Sequence, residues 1–184
     1  MGKQFTLILG GARSGKSSFA EALARKRGGT DELFVATAQA GAEEMSARID
    51  RHRASRPSEW RTLETTHDLG RALQVAPTAR AVLIDCATLW VSNVLLADEP
   101  TAADTLTRQV DELLKWYHSA QSDLIVVSNE VGMGLVPDNS LGRAYRDLLG
   151  QVNRKLAEEA DLVLLLLAGL PIEIKSRAIR LEDL

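Results

Sequence analysis

The 184-residue chain contains a single cysteine, Cys86, which excludes an intramolecular disulfide and any zinc site built from several thiolates. Its three histidines, His52, His67 and His118, are scattered without the spacing of a metal-ligand set. Excess charge of one sign is also missing: 22 Lys and Arg stand against 25 Asp and Glu, a net charge of -3. No global positive field is therefore available to hold nucleic acid or an anionic membrane, and any anion must be gripped locally. The longest apolar run, Leu162 to Ile172, is far shorter than the roughly 20 residues of a membrane-spanning helix. Signal-peptide features do not precede the Gly-rich segment at Gly10, so the sequence predicts a cytoplasmic protein. Linkers, internal repeats and low-complexity stretches are lacking too, which leaves residues 1–184 as one domain.

What is present is the composition of an ordinary globular domain, with 45% hydrophobic and 26% charged residues. Short, fully apolar runs recur at Phe5 to Leu9, Leu33 to Thr37, Ala81 to Asp85, Leu124 to Ser128 and Leu162 to Leu167. Helix-forming stretches fill most of the intervals between them. Strands apolar on both faces belong to a sheet covered on both sides, so the pattern predicts a mostly parallel α/β fold. Ile172 to Lys175 and Ile179 to Leu181 are expected as short edge strands. Loops are expected at Ala54 to Trp60 and Glu130 to Leu141, where sites on a rigid sheet usually lie.

Gly10-Gly11-Ala12-Arg13-Ser14-Gly15-Lys16-Ser17 matches the phosphate-binding loop G-x-x-x-x-G-K-[ST] in full, between an apolar strand and a helical stretch. The glycines let backbone N–H groups converge on phosphate oxygens, and the helix N-terminus adds partial positive charge. Lys16 is placed to bridge the outer phosphates, and the Ser17 hydroxyl to ligate Mg²⁺. A second metal-side group is Asp85, at the end of the run Ala81-Val82-Leu83-Ile84-Asp85; a helix-capping role is its structural alternative. Cys86 beside it reads as a small buried filler, since no base is evident nearby. The guanine-reading motif Asn-Lys-x-Asp of regulatory GTPases does not occur, which disfavours a switch GTPase.

Between Arg48 and Arg61 the chain concentrates five arginines and His52. Charge runs are usually solvated helix faces. In a P-loop protein the same run also suits a second phosphate site, because guanidinium groups bind phosphate bidentately. His52 among them would have its pKa depressed and would be a nucleophile toward phosphorus near neutral pH. His67 and His118 are placed in ordinary helical contexts with no role.

Taken together, GGARSGKS at Gly10 to Ser17, Val35-Ala36-Thr37-Ala38-Gln39, Glu44 to Ile49, His52-Arg53, Arg56-Pro57, Trp60-Arg61-Thr62, Glu64, Leu83 to Asn93 and Ser128 to Pro137 resemble the bifunctional adenosylcobinamide kinase/adenosylcobinamide-phosphate guanylyltransferases. The resemblance runs in order along nearly the whole chain, and its His52 and Asn129 to Pro137 segments are far more specific than the P-loop. It implies a RecA-like P-loop sheet, a homotrimer, and an enzyme of late cobalamin synthesis that takes GTP or ATP and the corrinoid adenosylcobinamide. One activity would phosphorylate the aminopropanol hydroxyl of adenosylcobinamide, with ATP or GTP as donor. The other would move GMP from GTP onto His52 and then onto adenosylcobinamide phosphate, giving adenosylcobinamide-GDP. By the same resemblance Thr37, Ala38 and Gln39 line the nucleotide site, Ala54, Ser55, Arg56 and Pro57 follow the nucleophile, and Glu64 and Asp85 complete nucleotide or metal contacts. Asn129 to Ser140 is expected to help form a corrinoid cleft at a subunit boundary. Arg51 stands where some relatives carry another histidine, so His52 is the sole candidate nucleophile.

Two other functions fit the motifs at this point. A small-molecule kinase with another acceptor would use the P-loop and Asp85 and leave His52 incidental. A RecA-like ATP-binding module would couple nucleotide state to assembly with a partner protein and use no corrinoid.

Overall fold

In the computed structural model, which describes residues 2–38 and 59–179, seven strands form one sheet in the order β3-β2-β4-β5-β1-β6-β7. The strands are β1 Phe5–Gly10, β2 Glu32–Ala36, β3 Arg61–Glu64, β4 Ala81–Asp85, β5 Asp123–Val127, β6 Leu162–Leu167 and β7 Leu170–Glu173. The helices are α1 Lys16–Gly28, α2 Leu69–Val75, α3 Ala87–Ala97, α4 Ala102–Ser119 and α5 Ser140–Glu159, with a short 3-10 turn at Glu99–Thr101 before α4. All neighbouring strands are parallel except β6 and β7.

The period-two alternation of the strands divides their side chains between two cores. Leu7, Val35, Ile84 and Val126 face a large cluster closed by Trp90 of α3, Leu113 of α4 and Leu149 of α5. Ile8, Phe34, Leu83, Ile125 and Val127 face a smaller one closed by Ala20 and Ala24 of α1. The buried residues of α1, Lys16, Ala20, Ala24 and Gly28, recur every fourth position. The small side chains of Ala20 and Ala24, with Gly28, let the helix lie close on the sheet, and this brings the helix N-terminus to the end of β1.

The five apolar runs are the five strands expected, with β2 and β5 each beginning one residue earlier. The sequence reading missed β3, whose alternating half-exposed and exposed residues lie at the sheet edge against β2. A polar four-residue edge strand carries no apolar run to announce it. The last apolar run turns back on itself at Ala168 and Gly169, both at positive φ (49° and 83°). Strand β7 therefore begins at Leu170, not at Ile172, and Pro171 is tolerated because the strand is an edge. Ile179 is not in a strand. His67 lies in a bend ahead of α2, correcting the helical expectation. His118 is in the last turn of α4, 3.3 Å from Glu159.

Candidate nucleotide site

The candidate residues that the structure describes gather at the carboxyl ends of the parallel strands, the edge at which open α/β sheets take ligands. Register makes the alignment explicit. Glu64 of β3 pairs with Ala36 of β2, Ala36 with Asp85 of β4, Asp85 with Val127 of β5, and Val127 with Ile8 of β1. Beyond this line the P-loop begins at Gly10, Thr37 and Ala38 leave β2, and Asn129 follows β5.

The loop's shape depends on positive φ at Gly10 (153°), Arg13 (58°) and Gly15 (92°). A Cβ on Gly10 would lie 2.5 Å from the Leu166 carbonyl oxygen and 2.8 Å from Ser14 Oγ, so only glycine fits there. Lys16 is 7% exposed, and its ammonium donates to Gly11 O at 2.6 Å, which holds the charge over the loop. Ser14 Oγ lies 3.5 Å from the same nitrogen. Gly11, Ala12, Arg13 and Gly15 are exposed, and Ser17 is half-buried at the second residue of α1. The N-terminal amides of α1, the ammonium and the open glycine backbone form an anion-binding cup.

Neither the Ser17 hydroxyl nor the Asp85 carboxylate makes a hydrogen bond or ion pair among the described residues. A hydroxyl and a carboxylate are hard oxygen donors of the kind Mg²⁺ prefers, so Ser17 and Asp85 would suit that ion beside bound phosphates. Asp85 does not cap α3, since no side-chain cap is made at that helix start.

Thr37 is fully buried and does not face the loop with its hydroxyl. Its Oγ1 donates to Cys86 O and accepts from Cys86 N, both at 2.8 Å. Asn93 Nδ2 then donates to Thr37 O at 2.8 Å and Thr66 O at 3.2 Å. These bonds lock the ends of β2 and β4 together beside Asp85. The Cys86 thiol is pushed up to about 11, chiefly by burial and further by the Asp85 carboxylate, which makes it unreactive. Glu64 is exposed at the end of β3 and Ala38 half-buried beyond β2. His52, Gln39, Ala54, Ser55, Arg56 and Pro57 lie outside the described residues.

Sequence reasoning assigned no individual role to the polar side chains that frame the end of β5. Asn129 N donates to Thr88 Oγ1 at 2.9 Å, Asn153 Nδ2 donates to Asn129 O at 2.9 Å, and Ser128 Oγ donates to Asn153 Oδ1 at 2.6 Å. The signal available was three polar residues, Ser128 to Glu130, closing an apolar strand.

A seven-stranded, mostly parallel sheet with a complete phosphate-binding loop at the carboxyl end of an interior strand defines a RecA-like P-loop nucleotide-binding protein. The fold is shared with the flagellar accessory protein FlaH from Methanocaldococcus jannaschii (TM-score 0.52, 12% identity, covering 94% of this chain and 78% of that one). It is shared likewise with a solved ATPase domain (TM-score 0.52, 14% identity, covering 89% and 69%). Residues 6–174 match the family described as cobinamide kinase / cobinamide phosphate guanyltransferase, and the chain belongs to that family. It is 45% identical to the bifunctional adenosylcobalamin biosynthesis protein CobP of Pseudomonas aeruginosa over 92% of this chain and 96% of that protein. It is 39% identical to the bifunctional adenosylcobalamin biosynthesis protein CobU of Salmonella typhimurium, over 92% and 98%. The chain is thus a transferase of cobalamin biosynthesis, a cobinamide kinase and cobinamide phosphate guanylyltransferase.

Proposed function

We propose that both transfers draw on the one P-loop, with His52 dividing the second into two displacements. In the first activity the aminopropanol hydroxyl of adenosylcobinamide attacks the γ-phosphorus of ATP or GTP. The bond to the β-phosphate oxygen breaks, the nucleoside diphosphate leaves, and the hydroxyl proton passes to solvent or a base. In the second the neutral His52 imidazole attacks the α-phosphorus of GTP and pyrophosphate departs. A phosphate oxygen of adenosylcobinamide phosphate then attacks the same phosphorus, the P–N bond breaks, and His52 is restored as adenosylcobinamide-GDP forms. A covalent intermediate holds GMP until the large corrinoid is in place.

The observation that supports this reading is the P-loop itself, with the Lys16 ammonium drawn over it by Gly11 O. Lys16 and the α1 amides bind and orient the phosphates and offset the charge that grows on the leaving group. Ser17 and Asp85 would hold Mg²⁺, which supplies Lewis-acid neutralisation of the phosphate oxygens when bound. Thr37 and Asn93 keep the Asp85 end of β4 in place. Glu64, Ala38, Gln39 and Ala54 to Pro57 are assigned to the nucleotide's surroundings. A homotrimer places Val131 and Met133 at a corrinoid cleft between subunits.

The test is to incubate the protein with Mg²⁺ and GTP labelled at the α- or the γ-phosphate, denature it, and assay retained label. Wild type is expected to keep α-label only, acid-labile, and His52→Ala to keep none while still phosphorylating adenosylcobinamide. Equal loss of both activities in His52→Ala would sink the division of roles. No retention by a wild type that binds GTP would remove His52 from the mechanism.

A further inference from the structure

Strand β5 lies between β4, which ends in Asp85, and β1, which leads into the P-loop. Its ladder with β1 continues past its last residue, because Ser128 N donates to Ile8 O at 2.9 Å and Glu130 N to Gly10 O at 3.1 Å. In a parallel ladder the intervening residue, Asn129, turns its backbone toward the other neighbour. That neighbour, β4, has already ended and become α3. Two side chains take over its role: Thr88 Oγ1 accepts the Asn129 N–H, and Asn153 Nδ2 donates to the Asn129 carbonyl. Asn153 is itself fixed by the hydroxyl of Ser128, a residue with no exposure.

Buried polar side chains are costly unless every member is satisfied, and here they converge on the backbone of one residue. The Asn129 side-chain amide, by contrast, makes no hydrogen bond among the described residues, and the residue is half-buried. Alternation along the strand sets its face. Val126 and Ser128 lie toward α5, whereas Val127 packs with Ile8 and Ala20 on the α1 side, so Asn129 shares the α1 side with the P-loop. An immobilised backbone thus presents an unused amide between the phosphate cup and the metal-side carboxylate.

We propose that the Asn129 amide is a phosphate-contacting group, whose Nδ2–H donates to an oxygen of the γ-phosphoryl group and holds it in line for the acceptor hydroxyl. A neutral donor at this place meets the terminal phosphate without competing with Asp85 for the cation. The proposal deepens the kinase reading above and rests on it. Thr88, Ser128 and Asn153 act through Asn129 and are positioning residues.

The experiment compares wild type with Asn129→Ala, Asn129→Asp and Asn129→Ser. Three quantities are measured: kcat and KM for phosphorylation of adenosylcobinamide, the affinity ratio between a non-hydrolysable nucleoside triphosphate and its diphosphate, and the melting temperature. The expected result is kcat down at least tenfold in the Ala variant and further in Asp, partial rescue in Ser, and KM for the nucleotide within about threefold. The preference for triphosphate over diphosphate should fall by the same few-fold factor, since Lys16 still holds the outer phosphates, while the melting temperature stays near that of wild type. Thr88→Val, which withdraws the acceptor from the Asn129 N–H, should show the same kcat loss in milder form. If the position 129 variants fail to fold, Thr88→Val decides by the same readouts. Unchanged kcat with unchanged triphosphate preference, or a kcat loss that only follows a fall in melting temperature, overturns the proposal. A wild type without kinase activity whose triphosphate preference is still reduced by Asn129→Ala would sink the kinase reading and leave the contact standing. A wild type that binds both nucleotides equally would remove the contact.

Discussion

The Gly169 amide donates to the Ser14 carbonyl at 3.0 Å, so the turn of the β6–β7 hairpin buttresses the phosphate-binding loop from outside. The same hairpin's Leu166 carbonyl closes on Gly10, and Gly169 Cα would lie 3.4 Å from a Cβ built on Gly15. The P-loop is thus shaped from two sides, by its own glycines and by a strand more than 150 residues further along the chain.

Gly10→Ala is expected to deform this loop. The added methyl would sit 2.5 Å from a backbone oxygen that cannot swing away, at a φ of 153° that alanine avoids. The strain is about 1–3 kcal/mol. A nucleotide titration should show affinity lowered by at least about tenfold, the cost of 1.4 kcal/mol or more, with a reduced melting temperature. Affinity equal to wild type would show that the loop accommodates the methyl elsewhere.

Lys16→Ala should impair both transfers, because each needs the phosphates held. Lys16 is buried at the helix start with its ammonium bonded to Gly11 O, and it is not a member of the apolar clusters that hold the helices on the sheet. Circular dichroism and melting should therefore change little while phosphorylation and α-label retention both fall by about 100-fold or more, on the scale of losing one preorganised charged contact. Retained guanylylation would show that GTP uses a different phosphate site.

Stability away from the site has its own test in Gln109, which is 3% exposed. Its Oε1 accepts from Trp90 Nε1 at 2.7 Å and from Asp68 N at 3.0 Å, tying α4 to α3 and to the start of α2. Gln109→Leu keeps the volume and orphans a fully buried indole N–H. Chemical denaturation should report a loss of about 1–3 kcal/mol, with kcat unchanged at temperatures where the variant is folded.

Glu32, at the opposite end of the sheet from the site, predicts a pH dependence. It is 1% exposed with both carboxylate oxygens unbonded among the described residues, and burial pushes its pKa up to about 7, against a partial opposing pull from Arg25. A carboxyl whose folded value is raised favours folding while protonated. Its stabilising contribution is therefore complete below the unfolded value of 4.5 and is lost as pH rises through about 7. Glu32→Gln should match wild type near pH 4.5 and exceed it by about 3 kcal/mol at pH 8. Equal stability of the two at pH 8 would show that the carboxylate is accommodated in its charged form.

Most of the sheet was legible because parallel strands buried on both faces must be continuously apolar, and five such runs stand out between helix-forming stretches. Strand β3 was not, because an edge strand buries little and Arg61 to Glu64 carries more polar than apolar residues. The P-loop was legible because its chemistry needs fixed residue types at fixed spacing. Asn129 belonged to a recognised segment without an assigned role, since an asparagine after a strand looks like any loop residue until its neighbours are known.

The sequence by itself determined the family, the phosphate-binding loop and the alternation that gives each strand its two faces, all of which follow from local pattern. Tertiary structure decided which strand ends stand side by side. Asp85, Ala36, Glu64, Val127 and Ile8 come from five segments, and only the order β3-β2-β4-β5-β1 sets them on one line across the sheet. It also decided that Gly10 is closed by Leu166, and that Thr88 and Asn153 hold Asn129 where strand β4 has run out. Such contacts between residues far apart in the chain arise from burial and hydrogen-bond satisfaction over the whole fold, which no short stretch of sequence encodes.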